Sequence, residues 1–300
     1  MKLNHKYQNI QTIPIAKHCK KYFVQLRLDV VFACNTWAGQ NSRLASYIYS
    51  SKMKIYSALQ IGDYHINHCE DYLFIGDIGS DKILCAVMDG CTMGTDSYFV
   101  STLVGKLLRK IAKETGYKEL YNVATNIDIE GCLKSILKEL FKELMLTKNQ
   151  LMLDQKELLT TLIIMVVDKK MNKGVVLVVG DGLVSINGRT TEFDQDNKPD
   201  YLGFHLNEDF ETWFGYQKQK ISISDIEDIS ISTDGIFMFR PVKKVDTAEP
   251  INAIDFLLLD KTYEENEEML TLKLKQLEHK YGLKPADDFA MIRLISQARG

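Results

Sequence analysis

Two rhythms of apolar and polar positions alternate along the chain, and the change from one to the other marks its elements. From Met53, "MKIYSALQ" has the character of an opening strand, and "YLFIGDIGSDKILCAVMDG" reads as two strands joined by a Gly-Ser-Asp turn. The spacing then becomes helical. In "DSYFVSTLVGKLLRKIAKETGY", Val100, Leu103, Val104, Leu107, Leu108 and Ile111 predict a helix opened by Asp96 or Ser97 and closed by Gly116. Leu133, Ile136, Leu137, Leu140, Phe141 and Leu144 predict a second helix, and two amphipathic helices in succession predict an antiparallel pair covering one sheet face.

"LLTTLIIMVVD", a Lys-Met-Asn-Lys-Gly turn and "VVLVVGDGLVSING" predict a hairpin of two buried strands. "ISISDIEDISISTDGIF" adds strand character, "NEEMLTLKLKQLEHKYG" a helix, and "DDFAMIRLIS" a closing strand. Strands and helices grouped in separate runs favour a layered α+β domain over a doubly wound one. Residues 1–52 sustain neither rhythm and are predicted to be an extension, with Lys2, Lys6, Lys17, Lys20, Lys21, Arg27 and Arg43 standing against Asp29; residues 53–300 are predicted to form the domain.

Composition changes this picture little. The 300 residues are 45% hydrophobic and 26% charged, as in ordinary globular proteins, and a net charge of −3 provides no global basic field for nucleic acid or an anionic membrane. Neither partner is expected. Tyr22 to Gly39 is interrupted by Arg27 and Asp29 and is too short for a membrane span. Cys19, Cys34, Cys69, Cys85, Cys91 and Cys132 form no C-x-x-C pair, and reduced thiols in a soluble, cytoplasmic protein are expected.

Candidate chemistry lies where strands end. Asp89 follows "ILCAVM", Asp181 follows "VVLVVG", Asp234 follows "ISIST", Asp287 and Asp288 precede "FAMIRLI", and Glu70 and Asp71 precede "YLFIG". One Asp-Gly pair is turn chemistry. Several carboxylates gathered at one sheet edge would repel unless cations joined them, and all-oxygen clusters suit hard ions such as Mg²⁺ or Mn²⁺.

Taken in order, "CEDYL", "CAVMDG", "TTLIIMVV" with "VVGDG", "ISTDGIF" and "DDFAMIRL" resemble the metal-dependent protein Ser/Thr phosphatases of the 2C type over residues 53–300. The resemblance implies an α+β fold: a four-layer α-β-β-α sandwich of two mainly antiparallel sheets flanked by helices, with a two-metal centre at one end. It implies that Asp89 bridges two Mn²⁺ or Mg²⁺ ions with the Gly90 carbonyl on one of them. Asp71 and Glu70 would hold metal directly or through water, Asp234 and Asp287 would complete the ligands, and Asp181 would serve a third, weaker site. Asp89 and Asp71 carry the catalytic role. The implied reaction is attack of a metal-activated water on phosphoserine or phosphothreonine of a phosphorylated protein substrate, without a phosphoenzyme.

Three positions depart from the family pattern. Where relatives carry a phosphate-clamping Arg this chain has Ile66, which leaves His65 or His68 as the phosphate-binding candidates. Cys91 replaces a general-acid His, and Met238 replaces a third-site Asp. An aspartyl-phosphate enzyme of the haloacid dehalogenase kind would need an Asp where Cys91 stands, and a cysteine phosphatase would need a C-x5-R loop, which is absent after Cys91. The competing readings are a catalytically impaired regulatory or binding module that keeps the fold, and a phosphatase of small phosphorylated metabolites. The segment from Gln195 to Gly215, with Asp194, Asp196, Asp200 and Trp213, is expected to lie beside the site and set substrate choice.

Overall fold

The computed structural model describes residues 53–121, 128–195, 199–242 and 251–297, within a compact unit spanning Ser51–Gly300. The predicted extension over residues 1–52 and Asp196 lie outside the described residues. In chain order the elements are β1 (Met53–Gln60), β2 (Tyr72–Ile78), β3 (Lys82–Met88), α1 (Ser97–Tyr121), α2 (Ile129–Leu151), β4 (Leu162–Asp168), β5 (Lys173–Val179), β6 (Gly182–Ile186) and β7 (Arg189–Phe193). There follow α3 (Phe210–Tyr216), β8 (Lys220–Ile223), β9 (Asp228–Ser232), β10 (Phe239–Pro241), α4 (Ala253–Leu258), α5 (Met269–Tyr281), β11 (Leu283–Pro285) and β12 (Phe289–Ser296).

Two five-stranded antiparallel sheets, ordered β2-β3-β4-β5-β8 and β1-β12-β9-β6-β7, stack face to face, and β10 and β11 form a separate two-stranded ribbon. Alternate residues of the central strands feed different cores. Ile83, Cys85 and Val87 of β3 pack between the sheets with Ile163 and Met165 of β4, and with Ile231 and Ile292 of the facing sheet. Leu84, Ala86 and Met88 point the other way, onto α1 and α2. A third apolar layer joins β1 and β12 to α4 and α5 through Leu257, Leu270, Leu277 and Met291. Three apolar layers make the four-layer sandwich, and burial on both faces explains why "KILCAVM" and "LIIMVV" read as continuous apolar runs.

Two sequence expectations need correction. The run "VVLVVGDGLVSING" is not one strand: it leaves the first sheet after β5 and enters the second as β6. The switch occurs at Gly180 (φ +92°) and Gly182 (φ +142°), backbone that a side chain would strain. The hairpin expected there is β4 with β5 alone. Gly116 does not end α1, which runs on to Tyr121; a Cβ at Gly116 would lie 2.7 Å from the Gly79 nitrogen, so this glycine lets the helix seat on the β2–β3 turn.

The far sheet and its helices are fastened by buried cations. Arg293 of β12 bonds both Asp228 oxygens at 3.0 and 2.7 Å and donates to the carbonyls of Leu257 and Asp260. Lys273 of α5, also fully buried, donates to the Phe256 carbonyl and to Asp260. Both charges are paired, as burial requires. Among the described residues no helix is long and apolar enough to cross a membrane.

Candidate active site

The antiparallel register fixes which strand ends meet. Tyr72 pairs with Met88, so Asp71, just before β2, lies beside Asp89, just after β3. Met291 pairs with Ser232, which brings Thr233 and Asp234 beside the start of β12 and its preceding Asp287 and Asp288. Each sheet therefore contributes carboxylates to one end of the sandwich.

The Asp89 main chain is held from both sides. Its carbonyl accepts from the Thr161 N–H at 2.9 Å and the Thr160 hydroxyl at 2.8 Å, and its own N–H donates to Thr161 Oγ1 at 3.2 Å. Gly90 donates to the Glu70 carbonyl at 3.2 Å, and a Cβ on Gly90 would sit 2.1 Å from the Ser97 carbonyl oxygen. Neither Gly90 nor Gly235 has a positive φ. Both Asp-Gly pairs exist for close approach of backbone, not for the turn conformation that the dipeptide usually signals.

Asp71 is buried, and its Oδ2 accepts from the Thr233 hydroxyl at 2.6 Å; Thr233 Oγ1 in turn accepts from the Ala290 N–H. Asp71 and Asp89 meet carboxyl to carboxyl. Burial pushes the Asp71 carboxyl well above the usual range, the Thr233 bond opposes the shift, and the charges of Asp234 and Asp288 add to it. Burial, then the charges of Asp71 and Asp234, push Asp89 up in the same way. Asp234 is pushed up to about 6 by burial, then by Asp287 and Asp181. No Lys or Arg ion pair reaches Asp71, Asp89 or Asp234 among the described residues.

The remaining candidates separate. Asp287 is partly exposed, and its Oδ1 accepts from the Asp288 N–H. Asp288 is buried and takes the Gly62 and Glu70 N–H groups, so it fastens the 62–71 loop to the start of β12. Glu70 turns away from the Asp pair to accept from the hydroxyls of Thr92 and Ser97. His65 lies 3.8 Å from Glu70 and from Asp287, and 2.9 Å from Asp288 but out of line for a hydrogen bond. His68 is exposed and stacks on Tyr98 with ring centroids 4.1 Å apart, so it does not join the carboxylates. Asp181, at the sheet switch, accepts from the Gln195 N–H and keeps one buried oxygen without a hydrogen-bond partner. Ile66 is 90% exposed, Met238 is exposed, and Cys91 is a packed thiol.

Among the described residues no three Asp, Glu, His or Cys side chains stand close enough together to form a preassembled ion cage. The Asp71–Asp89 pair is in contact, with Asp234 and Asp287 within electrostatic reach. Sequence reasoning missed the residues that position this pair. Thr160 and Thr161 were visible only as part of a strand motif, and Thr233 only as the residue before Asp234. Tyr201, whose hydroxyl faces the Cys91 thiol and feels the Asp89 and Asp181 charges, carried no local signal. In the 195–215 segment, His205 bridges Asp200 at 2.7 Å and Glu208 at 2.8 Å, while Trp213 is buried against Phe141 and Phe210.

The fold is thus a sandwich of two antiparallel sheets flanked by helices, with acidic residues gathered at one edge. The sequence matches the protein phosphatase 2C family over residues 61–272, and the chain belongs to that family. A bacterial serine phosphatase, solved as a point mutant, superposes with a TM-score of 0.53 at 15% identity, covering 83% of this chain and 100% of the other. The phosphatase domain of SpoIIE from Bacillus subtilis, solved with a fragment of its regulatory domain, gives a TM-score of 0.50 at 15% identity. That match covers 84% of this chain and 65% of the SpoIIE chain, so this chain spans about two thirds of its length. At such identities the likeness shows the fold. Among curated proteins no sequence matches the chain significantly.

Proposed function

We propose that the chain is a Mg²⁺- or Mn²⁺-dependent phosphatase that hydrolyses phosphoserine and phosphothreonine on proteins. The observation that carries this reading is the Asp71–Asp89 contact: a buried carboxyl against a half-buried one, with Asp234 within electrostatic reach and, among the described residues, no Lys or Arg ion pair to compensate. Such a donor set, all oxygen and short of positive charge, fits hard divalent ions. Asp71, Asp89, Asp234, Asp287 and the Gly90 carbonyl would hold them, and Asp181, with its unpartnered oxygen, would hold a weaker third. When bound, a metal pair would lower the pKa of water and neutralise phosphoryl oxygens.

The chain's own residues supply position. Thr160 and Thr161 lock the Asp89 backbone, and Thr233 orients Asp71. Asp288 holds the loop that carries Glu70 and Asp71 against β12. Glu70, already satisfied by Thr92 and Ser97, ties that loop to the start of α1. His65, set among Glu70, Asp287 and Asp288, would be the group on that loop to meet a phosphoryl oxygen in place of the family's Arg.

The test is phosphate release from p-nitrophenyl phosphate, sugar phosphates and a phosphothreonine peptide by the full chain in EDTA, Mg²⁺ or Mn²⁺. Metal-dependent release from the peptide, at a higher kcat/KM than from the sugar phosphates, is expected. Cleavage of small esters with no peptide turnover would replace the protein substrate by a metabolite. Metal binding with no turnover on any ester would make the chain a regulatory module.

A further inference from the structure

The β10–β11 ribbon borders the acidic edge. The Tyr64 N–H donates to the Ala286 carbonyl at 2.8 Å, one residue before Asp287, and the Asp63 N–H donates to the Pro285 carbonyl at 3.3 Å. Within the ribbon Arg240 stands directly opposite Lys284. Like charges facing each other across a strand pair are destabilising, so this placement has a cost. Both cations turn to one carboxylate: Lys284 Nζ lies 2.9 Å from Asp63 Oδ1, and Arg240 Nη2 lies 3.3 Å from Asp63 Oδ2. The Lys284 hydrogen bond, with Arg240 behind it, holds the Asp63 carboxyl below its usual range.

One negative charge against two positive ones leaves an uncompensated cation beside the site, on a chain whose net charge is −3. Arg240 is the surplus partner. Among the described residues it makes one long hydrogen bond, which leaves most of its fork of N–H donors open to an incoming acceptor. Its guanidinium lies over the Tyr64 ring, 4.8 Å from the centroid, and that ring is 56% exposed. Stacking on an aromatic face fixes the plane of the guanidinium, and a fixed fork suits a carboxylate.

We propose that Arg240 and Lys284, with Tyr64 as their platform, form an anion-binding subsite that takes an acidic side chain of the phosphoprotein segment under hydrolysis. The inference rests on the phosphoprotein-phosphatase reading and gives it a substrate class. Lys284 precedes Asp287 by three residues, a chain span of at most about 10 Å. An extended substrate would therefore present its acidic residue about three positions from the phosphorylated one.

The test uses labelled phosphothreonine peptides with neutral flanks, or with Asp three positions before or after the phosphothreonine. The full chain, Arg240→Gln and Lys284→Gln are compared by kcat/KM in Mn²⁺ and by fluorescence anisotropy in EDTA. One acidic peptide is expected to surpass the neutral one about fivefold, in line with one or two exposed ion pairs, and to lose that advantage in both variants and at high salt. Equal values for acidic and neutral peptides, or a preference that survives both substitutions, would overturn the subsite. If no peptide is turned over, the phosphatase reading fails by itself and anisotropy decides the subsite: a preference lost in Arg240→Gln supports it, and equal affinities reject it.

Discussion

Asp89→Asn is expected to lower phosphate release by about 10³-fold while raising the melting temperature of the EDTA-treated protein by about 2–4 °C. The two effects have one origin. Asp89 sits half-buried against the buried Asp71 with Asp234 adding its charge, so its carboxylate is disfavoured until a cation arrives. An amide keeps the shape and can donate to Asp71, but it removes the charge that would bridge metal ions. Activity falls because the donor set is broken, and the metal-free fold gains because a repulsion is gone. A loss of activity accompanied by a lower melting temperature would mean that Asp89 supports the fold instead.

The same variant should change how stability depends on pH. Asp71, Asp89 and Asp234 all have folded-state pKa values raised above the unfolded values, so the folded protein binds protons more tightly than the unfolded chain. Their contribution is fully present below the unfolded pKa of 3.8 and is lost as pH rises through the folded values, which for Asp234 is about 6. In EDTA these groups should therefore make the wild type less stable as pH climbs from about 4 to above 6. Melting curves of Asp89→Asn across that window should be flatter than those of the wild type.

Gly235→Ala carries the second large effect. A Cβ at this position would lie 1.8 Å from the Asp288 carbonyl oxygen and 2.8 Å from the Asp288 carbonyl carbon, both backbone atoms that cannot rotate away. The strand must move, and the loss should be about 3 kcal/mol, at the upper end for overpacking. The displaced residue is the one whose side chain fastens Gly62 and Glu70, so the Asp71 loop and the Asp234 turn would shift relative to each other. Urea unfolding should show the lower stability, and turnover at a temperature where the variant is still folded should also drop. Full activity there would show that the two sheets need not be in close register at this edge.

The layers were legible because their strands are buried on both faces and their helices on one. That gives "LIIMVV" its unbroken apolar run and α2 its stripe from Leu133 to Leu144. The sheet switch at Gly180–Gly182 was not legible, since β5 and β6 are both apolar and nothing local says that the second belongs to the other sheet. Strand β7, exposed along most of its length, and the short β10 and β11 have too few buried positions to show a period.

At the candidate site the acidic residues stood out by their positions at strand ends, and the register then paired Asp71 with Asp89. The divergence of Glu70 and Asp71, adjacent in sequence, depends on which hydroxyls fold back onto the loop, and that is a tertiary fact. The same holds for His65 and His68. One faces carboxylates and the other stacks on Tyr98 because the path of the 62–71 loop is set by Asp288. The pairs Asp89-Gly90 and Asp234-Gly235 were misleading in one respect: their glycines yield space to Ser97 and Asp288 rather than turning the chain.

The account turns on these carboxylates being a divalent-metal centre, and calorimetric titration of Mn²⁺ into the full chain, beside Asp234→Asn, tests that most directly. Saturable binding of about two ions per chain, weakened in the variant, is the predicted result. An absence of Mn²⁺ and Mg²⁺ binding by the folded wild type, or binding that Asp234→Asn leaves unchanged, would contradict it.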